Sequence, residues 1–155
     1  MHESKSQKTV VQWLTEAENI CAQHGTRLTD LRRMVLELIL AEKTPVKAYD
    51  LIDRMREKGE RITPASIYRT LDFLIENGLI HRVNTLNAYI PCTEEHEDHN
   101  VLMFICSGCH KTEEIDDHVL YDTIETRLGT LGMSLKHGCI EIQGTCPKCT
   151  QNCNL

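Results

Sequence analysis

Two CxxC pairs constrain this chain more than any other feature of its sequence. They are Cys106-Ser-Gly-Cys109 and Cys146-Pro-Lys-Cys149, with 36 residues between them. Two thiolates at i and i+3 around a tight turn can hold one edge of a tetrahedral metal site, and a second pair completes the four-sulfur shell that Zn²⁺ prefers at a structural site. Because the pairs are far apart in sequence, closing this site would fix a whole small domain.

A redox CxxC and two unrelated disulfides are the alternatives to a metal site. A thioredoxin-like motif places one CxxC at the start of a helix after a strand, whereas both pairs here follow strand-like runs and are predicted to sit in turns. The sequence contains no apolar run of about 18 residues, and its opening MHESKSQKTV lacks the apolar core of a signal peptide. We therefore expect a cytoplasmic protein that does not bind membranes, in which eight cysteines favour metal binding over disulfides.

The charge of the chain is unevenly distributed. Its formal net charge is −6, but residues 1–90 carry 13 Lys and Arg against 12 Asp and Glu, whereas residues 91–155 carry 4 against 11. The amino-terminal half, with a net charge of +1, can still approach phosphate. The acidic half, with a net charge of −7, is suited to binding cations.

Four amphipathic helices are predicted in the first 78 residues. Thr29 and Thr63 are predicted N-caps, and Gly25, Gly59 and Asn77-Gly78 are predicted stops. The predicted buried stripes are Val10, Leu14, Ala17 and Cys21; Leu31, Val35, Leu38 and Ile39; Ala48, Leu51, Ile52 and Met55; and Ile67, Leu71, Leu74 and Ile75.

The fourth helix has the features of a helix that reads DNA. Its amino-terminal outer face carries Ala65, Ser66 and Arg69, with Tyr68 alongside. Small residues allow close approach to a groove, a hydroxyl and a guanidinium can contact phosphates and base edges, and the free N–H groups of a first turn favour phosphate. The next segment reads as a β-hairpin, with strands at 79–83 and 88–90 and a polar loop at 84–87. Helices followed by such a hairpin predict a winged helix-turn-helix.

The carboxy-terminal third is predicted to form a small α/β domain. Strands are expected at 101–105, 111–115 and 134–143, the last with Ile140 and Ile142 alternating against Glu141 and Gln143. The predicted helix between the last two strands carries an apolar stripe of Leu120, Ile124, Leu128 and Leu131, and it stops at Gly132. A sheet this small buries little surface alone, so we expect it to be stapled by zinc and to pair in a homodimer.

The predicted fold class is α+β. It comprises a winged helix-turn-helix DNA-binding domain at 1–91, an acidic hinge at 92–100, and a dimerisation and zinc-binding domain at 101–155. A two-fold dimer would match a palindromic site on double-stranded DNA.

Three stretches resemble the ferric uptake regulator family of bacterial metal sensors: TPASIYRTLDFLIENGLIHRV, VLMFICSGC and the closing CPKC. With Cys92, YRTLDFL and HRVNTLNAYIPC, the chain is most similar to the zinc uptake branch. The resemblance implies a dimeric repressor that binds an AT-rich palindromic operator when zinc is bound and represses zinc-uptake genes. It also implies that Tyr49 and Arg69 contact bases.

The resemblance further implies a second, regulatory zinc site, which gives two zinc ions per chain. Its ligands would be His81, Cys92, His99 and Glu114, a sulfur, nitrogen and oxygen set that Zn²⁺ accepts. Glu113 is adjacent to Glu114, and strand parity must decide between them. A third site involving His96, His118 or His137 is left open, and Cys139 and Cys153 receive no role.

Two other functions are weighed. An iron- or peroxide-sensing repressor of the same fold would use a His-rich site without a thiolate, which Cys92 disfavours. A zinc-dependent hydrolase needs three protein ligands and an open water position, and the sequence contains no HExxH motif. We therefore predict that the chain is not an enzyme.

Overall fold

The computed structural model of this chain describes residues 8–92, 101–135 and 139–152. The elements are α1 (Val10–Gln23), α2 (Asp30–Leu40), α3 (Ala48–Glu57), α4 (Pro64–Glu76), β1 (Ile80–Val83), β2 (Ala88–Pro91), β3 (Val101–Cys106), β4 (Thr112–Ile115), α5 (His118–Thr130), β5 (Cys139–Gly144) and α6 (Pro147–Asn152). The α+β class is confirmed. Most of the predicted acidic hinge lies outside the described residues.

Helices α1 to α4 enclose a single apolar core with the hairpin at its edge. Thirteen of the sixteen predicted inward positions are buried, while Leu31 and Ile75 pack against the core from its margin. Val10 is the exception, because it is 39% exposed and the buried face of α1 begins one turn later at Leu14. The caps are also as predicted: Thr29 accepts the N–H of Arg32, and Thr63 accepts that of Ser66.

The hairpin of β1 and β2 follows directly from the end of α4. Gly78 has a φ of +68°, a left-handed conformation that glycine adopts without steric cost, and the chain then turns into β1. Strands β1 and β2 are antiparallel, and His81 pairs with Ile90. Val46 exchanges backbone hydrogen bonds of 2.9 and 2.8 Å with Tyr89, which ties β2 to the chain between α2 and α3.

A second sheet has the strand order β4-β3-β5, with β4 antiparallel and β5 parallel to the central β3. The third strand was predicted at 134–143 but begins at Cys139 and ends at Gly144. Residues 134 and 135 are not in a strand, and 136–138 lie outside the described residues.

One face of this sheet packs against the hairpin. Side chains alternate between the two faces along a strand, so Val101, Met103 and Ile105 of β3 share a face. These three form a buried cluster with Val83, and Leu86 and Ile90 pack against it. The hairpin therefore contacts the four-helix core on one side and the second sheet on the other.

Helix α5 differs from its predicted packing. Asp117 caps it through Oδ1, which accepts the N–H of Leu120 at 2.9 Å, and the chain leaves it at Gly132 with a φ of +74°. The predicted stripe is wrong in part, because Leu120 and Leu131 are exposed and the buried residue is Tyr121. Ile124 and Leu128, the other two residues of the stripe, are half-buried.

Helix α6 was not predicted, since both CxxC pairs were expected to lie in turns. Pro147 occupies its first position, where a missing N–H costs nothing, and the helix carries Cys149 toward Cys106 and Cys109. Across the part of the chain that the structure describes, no helix is long and apolar enough to cross a membrane.

Candidate metal centre and nucleic-acid interface

The four cysteines of the two CxxC pairs converge on one point. The sulfurs of Cys106, Cys109, Cys146 and Cys149 all lie within 4.8 Å of one another. The turn after β3 presents the first pair, and the start of α6 presents the second. Gly108 allows this approach, because a Cβ at that position would lie 3.0 Å from the Sγ of Cys149.

The spacing of the sulfurs fits a tetrahedral zinc site. Four sulfurs at about 2.3 Å from Zn²⁺ define a tetrahedron with edges of about 3.8 Å. The Sγ atoms of Cys109 and Cys146 are 3.8 Å apart. A disulfide needs sulfurs at about 2.05 Å, and each of the seven cysteines in the described ranges is a free thiol. The geometry therefore favours the metal interpretation over the disulfide one.

Backbone amides prepare this cluster to lose protons. The N–H of Cys146, 3.3 Å from the Sγ of Cys106, and that of Cys109 lower the pKa of Cys106 to about 6. The N–H of Cys149 similarly lowers the pKa of Cys146. Side-chain hydrogen bonds between the Cys149 thiol and the sulfurs of Cys146, Cys106 and Cys109 favour its protonated form and raise its pKa to about 12. A bound cation would stabilise the thiolate form of all four cysteines, and deprotonated sulfurs are the form that ligates metal.

Three of the four predicted regulatory ligands lie at the interface between the hairpin and the second sheet. Alternation places His81 and Cys92 on the hairpin face that also carries Val83 and Ile90. Cys92 is buried, its N–H donates to the carbonyl of Leu79, and Nε2 of His81 is buried as well. His99 lies outside the described residues.

The sheet presents Glu114, not Glu113, to this interface. Glu114 pairs with Met103 and so shares the face that packs on the hairpin, and it is half-buried. Glu113 pairs with Phe104 on the opposite face, and its carboxylate accepts a 3.1 Å hydrogen bond from the exposed Lys111. Strand parity therefore favours Glu114 as the ligand.

Cys139 lies on the same face as Glu114. Burial, with the negative charges of Glu141 and Glu114, raises the pKa of Cys139 to about 12, so its thiol stays protonated. A protonated, buried thiol is a poor nucleophile. Among the residues that were candidates for a third site, His118 is exposed near Asp116, while His96 and His137 lie outside the described residues.

Three of the four predicted DNA-contacting residues are exposed on α3 and α4, and the fourth, Ser66, is half-buried. Tyr49 is 70% exposed and Tyr68 50% exposed, which is unusual for large aromatic side chains. Arg69 is exposed, and its Nε donates to the carbonyl of Ala65 one turn earlier. The hydroxyl of Ser66 takes part in the capping box, where it accepts from the N–H of Thr63 and donates to the carbonyl of the same residue.

Sequence reasoning missed Glu141, which was predicted to alternate against the apolar Ile140 and Ile142. The structure places Glu141 beside Met103 on the face toward the hairpin, where its carboxylate accepts hydrogen bonds from Asn84 and Thr85. Ile142 is 37% exposed. The alternation of apolar and polar residues shows which side chains of β5 share a face. It does not show which of the two faces another element covers.

Comparisons with known proteins agree with this geometry. The sequence matches the ferric uptake regulator family over residues 23–143. The zinc uptake regulation protein of Escherichia coli (strain K12) is 37% identical over 144 residues, which cover 92% of this chain and 84% of that protein.

Solved structures show the same likeness. A zinc uptake regulator complexed with zinc and DNA is 35% identical, with a TM-score of 0.85 over 96% of this chain and 100% of that one. Holo XcZur, at 36% identity, gives a TM-score of 0.80 over 90% of this chain and 97% of its own. Apo XcZur, at 35% identity and with 91% and 97% covered, gives only 0.52.

Proposed function

Because this chain belongs to the ferric uptake regulator family, we propose that it is a zinc-responsive repressor that binds operator DNA when zinc is bound and represses zinc-uptake genes. The observation that carries the proposal is the likeness of nearly the whole chain to a regulator solved with zinc and DNA. Members of the family are transcription regulators, and the chain is not an enzyme.

The DNA partner is an AT-rich palindrome in this proposal, bound by a cytoplasmic homodimer. The exposed Tyr49, Tyr68 and Arg69 support a reading surface on α3 and α4, with Ser66 at its edge. In a dimer two such surfaces would face successive turns of the major groove. Several large apolar side chains are exposed on α5 and just after it, namely Val119, Leu120, Leu131 and Met133. Grouped exposed apolar residues mark interaction surfaces, so they support pairing through the carboxy-terminal region.

Each chain would hold two zinc ions. Cys106, Cys109, Cys146 and Cys149 would hold the structural ion, which supplies the positive charge that keeps four crowded sulfurs deprotonated. His81, Cys92, His99 and Glu114 would hold the regulatory ion. A site that includes the Cys92 thiolate favours zinc over the oxygen and nitrogen sites typical of iron sensing.

The regulatory ligands belong to different parts of the fold, and this division supports a linkage mechanism. His81 and Cys92 lie on the hairpin, whereas Glu114 lies on the second sheet. Holding all of them at once fixes the angle between the DNA-reading helices and the paired sheets. To move a population from mostly open to mostly closed, a ligand must favour the closed form about 10⁴-fold, roughly 5.5 kcal/mol. The backbone is like the holo form of XcZur and unlike its apo form, which supports such a two-state change.

The experiment that tests this function measures zinc per chain and operator binding together. We expect two zinc ions per chain, one tightly held and one removed by a mild chelator. Binding to an AT-rich palindrome in a gel shift should disappear with the exchangeable ion and return with added zinc. Equal binding before and after the ion is removed would contradict the proposal, and recovery with ferrous iron but not zinc would favour an iron sensor.

Substitution of one regulatory ligand sharpens the test. Cys92→Ser should leave the dimer and its structural zinc intact while abolishing zinc-dependent operator binding. Cys21→Ala is the matched control, because Cys21 is a buried thiol of the helical core and not a proposed ligand. The control should keep two zinc ions and normal binding, and unchanged zinc-dependent binding by Cys92→Ser would rule out that residue as a ligand.

A further inference from the structure

The loop of the hairpin is bound by a carboxylate from the second sheet. Glu141 of β5 accepts hydrogen bonds from the backbone N–H groups of Asn84 and Thr85, the latter at 2.8 Å, and from the hydroxyl of Thr85. Nε2 of Gln143 donates to the same hydroxyl at 3.4 Å. We call the bonds of Glu141 to Asn84 and Thr85 the wing clasp. It joins residues 56 and 57 positions apart in sequence.

The charge state of Glu141 suits this role. Burial raises its pKa, but the hydrogen bonds from Thr85 and Asn84 outweigh that effect and hold the pKa below the ordinary value for a glutamate. The side chain is therefore an ionised acceptor at neutral pH. Hydrogen bonds from N–H groups to a carboxylate are shorter and stronger than those to a neutral acceptor.

The clasp lies beside an apolar contact between the same two elements. Val83 and Leu86 of the hairpin pack against Val101, Met103 and Ile105 of the sheet. Apolar packing holds two surfaces together but does not fix their alignment, because it has no direction. The hydrogen bonds of the wing clasp are directional, and they fix the position of the hairpin loop on the sheet. The loop itself is a defined turn, in which the N–H of Asn87 donates to the carbonyl of Asn84 at 3.1 Å.

The hairpin thus meets the second sheet in two different ways. At its base lie His81 and Cys92, which a shared regulatory ion would join to Glu114 of the sheet. At its tip lies the clasp, which needs no metal. We propose that Glu141 is a positioning residue for DNA recognition, fixing the tip of the wing so that metal binding at the base sets one defined angle of the reading helix. This inference rests on the proposed function, because it concerns how the same DNA-binding surface is oriented.

Fixing the tip of the wing should affect contacts with the DNA backbone. In a winged helix-turn-helix the wing contacts the sugar-phosphate backbone beside the groove. Arg82 is exposed on β1, and its guanidinium donates to Oδ1 of Asn87 at 3.0 Å, which links this cation to the loop. Releasing the tip should remove interactions with the DNA backbone while leaving the base-reading face of α4 unchanged.

The test is Glu141→Gln in the full-length, zinc-loaded dimer. Glutamine keeps one acceptor oxygen but brings an NH₂ group toward two N–H donors, so at least one bond of the clasp is broken. We expect operator affinity at saturating zinc to fall at least tenfold. The dependence of affinity on salt should become shallower, by about 0.9 in the log–log slope for each phosphate that the protein no longer neutralises. Zinc content should remain two ions per chain.

Whether DNA binding weakens or strengthens distinguishes a positioning role of Glu141 from a simple effect of its negative charge. Removing a negative charge from a DNA-binding protein should strengthen binding, since phosphates are then repelled less. Glu125→Gln on the exposed face of α5 removes the same charge away from the hairpin, and its binding should be unchanged or slightly tighter. With zinc content and melting temperature unchanged, weaker binding by Glu141→Gln beside this control reflects the broken hydrogen bonds of the clasp.

A second pair of variants tests the clasp from its other side. Thr85→Val removes the hydroxyl that donates to Glu141 and keeps the shape of the side chain, whereas Thr85→Ser keeps the hydroxyl. We expect Thr85→Val to weaken binding and Thr85→Ser to restore it. Amide hydrogen exchange at residues 84 and 85 should accelerate in Glu141→Gln and not in Glu125→Gln.

The outcomes separate this inference from the proposed function. If wild-type protein binds the operator only with zinc, and Glu141→Gln binds within twofold of it with the same salt slope, the clasp does not position the wing. If the wild type itself shows no zinc-dependent binding, the proposed function fails, whatever the variant does. If Glu141→Gln loses zinc or melts at a much lower temperature, its role is structural, and this too overturns the inference.

Discussion

The two ends of this molecule are stabilised in different ways. Residues 8–92 contain a core of 18 buried apolar side chains drawn from four helices and the hairpin. In the described part of 101–152, the buried apolar residues are few, and two of them, Cys106 and Cys146, belong to the cysteine cluster. The same region exposes Val119, Leu131 and other large apolar side chains.

In the proposed zinc-loaded homodimer, this difference explains why the carboxy-terminal region depends on the structural ion and on a partner copy for its stability. A three-stranded sheet with helices α5 and α6 buries too little apolar surface to offset the conformational entropy lost on folding. The carboxy-terminal region must gain the remainder from zinc, from a second copy, or from the hairpin that packs on its inner face. The amino-terminal region can supply its stability from its own side chains.

The largest expected effect comes from removing the structural zinc site. Cys106→Ser leaves three thiolates, and zinc binding at structural sites of small domains is worth about 10–16 kcal/mol. We expect the carboxy-terminal region to unfold and the dimer to dissociate, while the helices of residues 8–92 persist. Circular dichroism and light scattering after size-exclusion chromatography would show a monomer that retains most of its helical signal.

Ser107→Ala is the control for that variant. Ser107 lies between the two cysteines of the first pair and is exposed, so the substitution keeps all four sulfurs. It should remain a zinc-loaded dimer. A Cys106→Ser protein that stays a folded dimer would show that the carboxy-terminal region is held by interactions other than the metal.

A cavity in the helical core should give the next largest effect. Leu71 is fully buried, and Leu71→Ala should cost about 2–5 kcal/mol of unfolding free energy. Chemical denaturation followed by circular dichroism measures this loss, and zinc content should stay unchanged because the cysteine cluster lies elsewhere. Val11→Ala is the control, since Val11 is 70% exposed on α1 and should change stability by less than about 0.5 kcal/mol. An equal effect of both substitutions would contradict the description of this core.

The contrast also explains how much of the structure could be predicted from the sequence. Helices α1 to α4 follow from local signals: the 3.6-residue spacing of apolar residues, the caps Thr29 and Thr63, and the left-handed Gly78. The cysteine cluster follows from spacing alone. These features need no knowledge of what lies across the fold.

The errors fall where a long-range contact decides the outcome. The stripe on α5 was predicted to be buried because its residues are apolar, but Leu131 is 61% exposed within one chain. The face of β5 that carries Glu141 was not expected to be covered, because its partners, Asn84 and Thr85, lie far away in the sequence. Pairing over such distances is set by the topology of the whole chain, which periodicity does not report.

The smallest expected effect compares helix caps in the two regions. Thr63 caps α4, whose inner face holds Ile67 and Leu71 in the core, and Asp117 caps α5, where Tyr121 is the buried residue. Removing a cap typically costs about 0.5–2 kcal/mol. In α4 the first turn cannot fray without disturbing the core, so Thr63→Ala should lower the global unfolding free energy by about 1 kcal/mol.

In α5 the first turn can open at a smaller cost, because Tyr121 is the one buried residue of that helix, whereas α4 has four. Asp117→Ala should therefore change global stability less than Thr63→Ala, while amide exchange in the first turn of α5 becomes faster. Denaturation measures the first quantity, and hydrogen exchange read by mass spectrometry measures the second. If Asp117→Ala instead lowered global stability as much as Thr63→Ala, α5 would be as tightly coupled to its surroundings as α4. The exposed apolar side chains on α5 would then have to be covered in the folded protein in solution.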